Sequence, residues 1–80
     1  MYSVEYYLFP NIECTVTTHT KRGKEVKRLI RELLKDVTLY RKHIIITVRE
    51  NENVIFTVDR SEHGYTSFTF FDNAADHGSV

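Results

Sequence analysis

The hydrophobic and polar residues follow two different periods along the chain. Residues 2–9 and residues 12–19 alternate between apolar and polar side chains, which is the pattern of a half-buried β-strand. Pro10 and Asn11 lie between these segments, and both favour turns because proline fixes φ and asparagine tolerates turn geometry. The pattern therefore predicts a first β-hairpin.

The segment from Lys21 to Val37 has a helical period instead. Most of its residues are Lys, Arg, Glu or Leu, which favour helices. Its apolar residues recur at intervals of three and four, as on the buried side of an amphipathic helix; they are Val26, Leu29, Ile30, Leu33, Leu34 and Val37. We expect the N-cap at Thr20 or Gly23, and the helix to end at the β-branched residues Val37 and Thr38.

Three further alternating segments follow, at residues 43–49, 54–59 and 65–71. Short polar turns separate them, and short connections favour antiparallel neighbours. The predicted order is therefore ββαβββ, an α+β fold in which one amphipathic helix packs on one face of a five-stranded antiparallel sheet. Residues 1–71 are predicted to form a single domain, and the small, polar residues 72–80 a flexible C-terminal tail.

The alternation also predicts which side chains face the helix. The predicted inner face carries Val4, Tyr6, Leu8, Cys14, Val16, Ile44, Ile46, Val48, Val54, Phe56, Val58, Phe68 and Phe70. The outer face is rich in threonine, which is typical of a solvated sheet surface. Ile45 and Ile55 are its apolar exceptions, and we expect them to be neighbours in a hairpin and to form a small exposed patch for a partner.

Composition excludes several classes of protein. At 80 residues, 41% hydrophobic and 28% charged, the chain is an ordinary folded domain rather than a disordered one. It has no apolar run of about 20 residues for a membrane helix, and its N-terminus does not resemble a signal peptide. A single cysteine, Cys14, fits a reducing compartment, so the predicted location is the cytoplasm.

Charge is distributed very unevenly, although the formal net charge is +0. The segment 21–42 has three acidic and nine basic residues; the basic ones are Lys21, Arg22, Lys24, Lys27, Arg28, Arg31, Lys35, Arg41 and Lys42. Three of these cations crowd the start of the helix, where the helix dipole already favours anions. We therefore predict an anion-binding or partner-binding helix face centred on Lys24, Arg28 and Arg31.

This face favours a small non-enzymatic binding protein, such as an inhibitor, adaptor or accessory factor, that engages an acidic or complementary protein surface. The alternative is a sequence-independent nucleic-acid-binding protein that uses the same helix face. The isoelectric point of about 6.9 argues against nucleic acid, and the helix offers no Asn, Gln or Ser to contact base edges. Self-association is a further alternative, since the basic segment and the acidic remainder are complementary.

Catalytic and metal-binding patterns are weak. The histidines are scattered, and Cys14 and His19 are five positions apart on a strand, so we predict no metal site and no cofactor. The third alternative is a small ribonuclease with an acid–base pair drawn from polar residues at adjacent strand ends. Those candidates are Arg49, Glu50, Arg60, Glu62 and His63.

Overall fold

A computed structural model of the chain describes residues 1–10 and 16–71. Within them the elements are β1 (Tyr2–Leu8), β2 (Val16–Thr20), α1 (Gly23–Lys35), a 3₁₀ turn (Val37–Leu39), β3 (Ile44–Glu50), β4 (Asn53–Arg60) and β5 (Thr66–Phe70). This order confirms the predicted α+β fold with a ββαβββ arrangement. Cys14 and the predicted tail at residues 72–80 lie outside the described residues.

The strands form one antiparallel sheet in the order β2-β1-β3-β4-β5. β1 lies between β2 and β3, so α1 must carry the chain past β1 before β3 begins. The remaining strands follow one another as consecutive hairpins. The two edges of the sheet are therefore β2 and β5.

The core lies between α1 and the inner side of β1, β3 and β4. Its most deeply buried residues are the fully buried side chains of the central strands; they are Ile44, Ile46, Val48 and Val58. Val26 and Ile30 are the buried residues of α1, one helical turn apart, and both belong to this core. Each fully buried side chain of this size contributes about 1.5–3 kcal/mol relative to an exposed one.

The helix begins between the two predicted starts and ends earlier than predicted. Its N-cap is Arg22, whose backbone is extended (φ −108°, ψ 125°) and whose N–H donates to Oγ1 of Thr20 at 3.1 Å, so the expected cap at Thr20 or Gly23 is wrong. At the other end Asp36 is also extended and accepts from the N–H of Thr38 at 2.9 Å. This contact starts the 3₁₀ turn.

The early helix end corrects one predicted core residue. Val37 falls in the 3₁₀ turn and is 72% exposed, so its assignment to the buried side of the helix is wrong. Leu39, which the helical period does not reach, is buried in the core instead. The side chain of Asp36 starts the turn because a short acceptor can bind the backbone two residues further on.

A β-bulge changes the predicted faces of β4. Val48 lies opposite Phe56 while Arg49 lies opposite Val54, so Ile55 is the extra residue between them. Directly opposite residues share a face, and Val48 and Arg49 are on different faces, so the prediction that Val54 faces the helix is wrong. Ile55 packs against the core instead of extending the outer face.

A buried arginine joins the helix to the sheet. Arg60 lies on the inner face opposite Ile44 and is buried. Its guanidinium donates to the carbonyl oxygens of Leu34 at 2.7 Å and Leu39 at 3.0 Å, and it lies 5.5 Å from the centre of the Tyr40 ring. The end of α1 and the 3₁₀ turn are thus both fixed to β4.

Candidate partner-binding groove

The two flanks of α1 carry opposite charge and face opposite edges of the sheet. Glu32 and Asp36 line a hollow on the side of β2, together with Thr18. Lys27 and Arg31 lie on the other flank, beside the inner surface of β4 and β5. The helix therefore presents its acidic side to one sheet edge and a basic side to the other.

Arg28 does not act as a free cation. Its Nε donates to both carboxylate oxygens of Glu25 at 3.0 and 2.9 Å, and its Nη1 donates to Glu32 at 2.6 Å. The hydrogen bond from Arg28 lowers the pKa of Glu25, and the bonds to Glu25 and Glu32 raise the pKa of Arg28. Two carboxylates thus compensate the charge of Arg28, which we predicted to lie at the centre of an anion-binding face.

A groove of about 480 Å³ runs between the basic flank of α1 and the inner surface of β4 and β5. Its floor is formed by Ile55, Phe56, Phe68 and Phe70. Its wall on the helix side is formed by Val26, Ile30 and Leu34, with Lys27 and Arg31 as the rim. We call this surface the α1–β5 groove.

The groove exists because one helix cannot cover five strands. A helix with its side chains is about 10–12 Å wide, whereas strands are spaced about 4.8 Å apart, so α1 covers roughly two of them. Its backbone lies closest to β1 and β2, and its buried side chains belong to the core formed with β3 and β4, so β5 is left uncovered. Phe68 and Phe70 face the same side of the sheet as the core, opposite Val58 and Phe56, yet they remain 54% and 75% exposed.

The rim cations are available to a partner. Lys27 and Arg31 are one helical turn apart, and both are exposed. Neither forms an ion pair with any carboxylate in the described part of the chain. The groove therefore combines exposed aromatic rings with two positive charges that no carboxylate of residues 1–10 and 16–71 compensates.

The other predicted cations lie elsewhere. Lys21, Arg22 and Lys24 are exposed around the start of α1, and Arg41 and Lys42 follow the 3₁₀ turn at the opposite end. The helix between them is 13 residues long, or about 20 Å. The nine basic residues thus do not form one continuous face, and only Lys27 and Arg31 border the groove.

The structure does not bring Ile45 and Ile55 together. Ile45 lies opposite Tyr7 and Asp59, on the side of the sheet that faces away from the helix. Ile55 lines the α1–β5 groove because of the bulge at Val48. The predicted apolar patch shared by these two residues is therefore wrong.

The ribonuclease candidates are also separated. Arg49 and Glu50 end β3, where β4 begins, whereas Arg60, Glu62 and His63 lie at the far end of β4, about 20 Å away. Arg49 pairs with Glu5 at 3.2 Å, and both Nη atoms of Arg60 donate to backbone carbonyls. The expected acid–base pair across adjacent strand ends is not assembled.

Phe68 and Phe70 are the site residues that the sequence interpretation missed, since alternation alone assigned them to the core. The number of predicted strands could have revealed their exposure, because one helix leaves part of a five-stranded sheet uncovered.

Among residues 1–10 and 16–71 there is no cluster of three or more His, Cys, Asp or Glu that could hold a metal, and no helix long and apolar enough to cross a membrane.

No model of a known protein family, no curated protein and no solved structure matches this chain. The geometry of the α1–β5 groove is therefore the basis for a functional assignment.

Proposed function

We propose that this chain is a small protein-binding domain that holds an acidic amphipathic helix of a partner protein in the α1–β5 groove. The observation that carries the proposal is the exposure of Phe68 and Phe70 beside the uncompensated cations Lys27 and Arg31. No catalytic step is part of it.

Apolar burial supplies the affinity. Phe68 and Phe70 together expose roughly 250 Å², taking about 200 Å² for each aromatic side chain. Covering that surface is worth about 6 kcal/mol before the costs of association are subtracted. The largest exposed apolar patch of a monomeric protein usually measures a few hundred Å² and is often an interaction site.

The shape of the groove favours a helix as the occupant. The floor of the groove spans β5 and the part of β4 at Ile55 and Phe56, up to two strands or roughly 10 Å, which matches the width of one helix. A helix lying there would be a direct neighbour of α1, at the usual interaxial distance of about 8–10 Å. It would complete the helical layer that α1 only half fills.

The positive charges of the rim favour acidic residues on the partner helix. Lys27 and Arg31 are four residues apart, so two carboxylates one turn apart on a neighbouring helix would meet both cations. Such rim pairs contribute more to specificity and association rate than to affinity. The required partner segment therefore has an apolar stripe flanked by Asp or Glu.

Nucleic acid is the less favoured occupant. Phosphate backbones are bound by several cations along one track, but only two cations border this groove, and Arg28 is paired with Glu25 and Glu32. The floor of the groove is aliphatic and aromatic, which suits an apolar helix face. Nucleic acid whose bases stack on Phe68 and Phe70 is therefore the competing occupant that the experiment tests.

Selection from a random peptide library tests the proposal. Displayed peptides of about 18 residues, long enough for several helical turns, are selected on the purified protein, and the binders are synthesised and titrated. We expect apolar residues at helical spacing with Asp or Glu on one flank. Lys27→Glu with Arg31→Glu should weaken these peptides by about tenfold or more.

A matched variant controls for net charge. Lys24→Glu with Lys35→Glu makes the same change in charge on the same helix but away from the groove, and it should leave peptide affinity unchanged. Labelled single-stranded and duplex DNA are titrated in parallel at low salt. Equal loss in both double variants, binding unaffected by Phe70→Ser, or tight binding of DNA with no peptide selected would overturn the proposal.

A further inference from the structure

The free edge of the sheet at β5 offers a second kind of binding surface. β4 is the only strand paired with β5 among the described residues. Phe71 donates its N–H to Ile55, and the carbonyl of Tyr65 accepts from Ser61, so the odd-numbered residues hydrogen-bond toward β4. Because backbone groups alternate along an antiparallel strand, Thr66, Phe68 and Phe70 direct their N–H and C=O groups to the open edge.

This edge lacks the features that keep edges unpaired. Residues 65–71, YTSFTFF, contain no charge, no proline and no glycine, and β5 has no bulge. Natural edge strands are usually interrupted by Lys, by Pro or by a bulge, because an uninterrupted apolar edge pairs with any compatible strand. A strand of this composition can therefore hydrogen-bond to a further strand along its open edge.

We propose that β5 pairs antiparallel with β5 of a second copy of this chain, with Phe68 of one copy opposite Phe68 of the other. This register pairs all five residues of the strand, since Phe68 is the centre of Thr66–Phe70. The product is a ten-stranded sheet that runs through a twofold dimer. The inference does not require the proposed function, because backbone groups at the edge of β5 make the pairing, although Phe68 and Phe70 also line the groove.

The exposed aromatic side chains along β5 provide apolar surface next to the edge that would pair in a dimer. Tyr65, Phe68, Phe70 and Phe71 are 77%, 54%, 75% and 42% exposed. At about 200 Å² for each aromatic side chain, they expose roughly 500 Å² per copy. A stable interface buries about 800 Å² per partner. Strand pairing covers the parts of these side chains that border the edge, whereas Phe68 and Phe70 keep their surface on the helix side of the sheet exposed.

The edge is also complementary to itself. With no charge on β5, twofold pairing sets no like charges opposite each other, and it matches Thr66 with Phe70 and Ser67 with Thr69 across the axis. Pairing β5 with the other edge, β2, would instead leave a free edge at each end and add copies without limit. The isologous pair closes after two copies.

Dimer formation would also bring the two α1–β5 grooves side by side. Phe68 and Phe70 of both copies would then line one continuous apolar surface on the helix side of the joined sheet. The two rims of Lys27 and Arg31 would border it on either side. The dimer would therefore present its two sites together.

Two double variants test the register while leaving the groove intact. Ser67 and Thr69 are exposed and lie on the face away from α1. In the proposed dimer, Ser67→Lys with Thr69→Glu sets opposite charges across the axis, whereas Ser67→Lys with Thr69→Lys sets like charges there. Sedimentation equilibrium of the full chain should show a dimer, with dissociation constants about tenfold apart or more between the two variants at low salt.

Circular dichroism melts of both variants check that each monomer folds. The proposal is overturned if the unmodified chain stays monomeric at every concentration, or if the two folded variants dimerise equally. A dimer abolished by Lys27→Glu with Arg31→Glu but unaffected by either edge variant would also overturn it, because that interface would lie in the groove. Peptide binding to the folded monomer reports separately on the proposed function.

Discussion

Arg60 donates a hydrogen bond from Nη1 to the carbonyl of Leu34 at 2.7 Å, across the junction between β4 and the last turn of α1. The last carbonyls of a helix have no partner within the helix, and a cation near them also interacts favourably with the helix dipole. Nη2 of the same guanidinium donates to Leu39 in the 3₁₀ turn. One buried side chain thus satisfies acceptors from two successive elements.

Replacing Arg60 with methionine should destabilise the fold strongly. The substitution keeps an apolar stem of similar length but leaves the carbonyl of Leu34 without its donor. The carbonyl of Leu39 keeps only the N–H of Lys42, at 3.3 Å. The loss of two hydrogen bonds from a charged group and the one acceptor left unsatisfied together predict a decrease of about 2–4 kcal/mol in the free energy of unfolding, measured by urea denaturation. Arg60→Lys should lose less, because an ammonium can still reach one carbonyl.

Lys42→Met is the matched control for this prediction, because Lys42 is an exposed cation near the same junction. We expect it to change the free energy of unfolding by no more than about 0.5 kcal/mol. A loss at Lys42 equal to that at Arg60 would assign the effect to charge in this region rather than to the two carbonyl contacts.

Phe70→Ser should separate binding from stability. Phe70 is mostly exposed and contacts Phe56 at 5.5 Å between ring centres, so its replacement should cost less than about 1 kcal/mol of stability. Ile46→Ala, in the fully buried core, should cost about 2–5 kcal/mol. Thermal melts and titration with a selected peptide should show lost binding with nearly unchanged stability for Phe70→Ser. A large stability loss there would make Phe70 a core residue.

The sequence predicted the elements better than it predicted the surface they leave exposed. The helical period located Val26 and Ile30 against the sheet because burial alone determines which side of an amphipathic helix faces inward. The same period could not find the helix end, where two hydrogen bonds from Thr38 to Asp36 replace the next helical turn. Local contacts between side chain and backbone decided that boundary, and Val37 became exposed as a result.

The candidate site required three-dimensional information. The bulge at Ile55 shifts the alternation of β4 by one residue, and strict period-two patterning cannot detect such an insertion. The pairing of Arg28 with two carboxylates depends on rotamers rather than on sequence spacing alone. The exposure of Phe68 and Phe70 follows from which strands α1 covers, and the sequence left the strand order open.

Arg41→Gly should stabilise the protein. Arg41 has φ of 66°, in the left-handed region that side chains disfavour by about 1–2 kcal/mol, and its side chain is exposed. Glycine adopts this conformation without a steric penalty but loses more entropy on folding. The net gain should be up to about 1 kcal/mol, measured as a higher urea midpoint. Arg41→Val should be destabilising, and equal stability of both variants would contradict the assignment of this backbone conformation.

Acid should weaken the junction between α1 and the 3₁₀ turn. Hydrogen bonds from the hydroxyl and N–H of Thr38 lower the pKa of Asp36 below its ordinary value of 3.8. A carboxyl group whose pKa is lower in the folded chain stabilises the fold above its unfolded pKa, and this stabilisation is lost as the pH falls through the folded pKa. Asp36→Asn should therefore flatten the dependence of the melting temperature on pH in the acid range.

In Asp36→Asn the amide oxygen can still accept from Thr38 but carries no charge, so this variant isolates the effect of the negative charge. The unmodified chain should be the more stable of the two at neutral pH, and the two melting temperatures should converge as the pH falls through the lowered pKa of Asp36. Glu52→Gln is the control, since this exposed carboxylate has no hydrogen-bond partner in the described part of the chain, and it should leave the pH profile nearly unchanged. Parallel profiles for the unmodified chain and Asp36→Asn would show that the charge of Asp36 does not stabilise this junction.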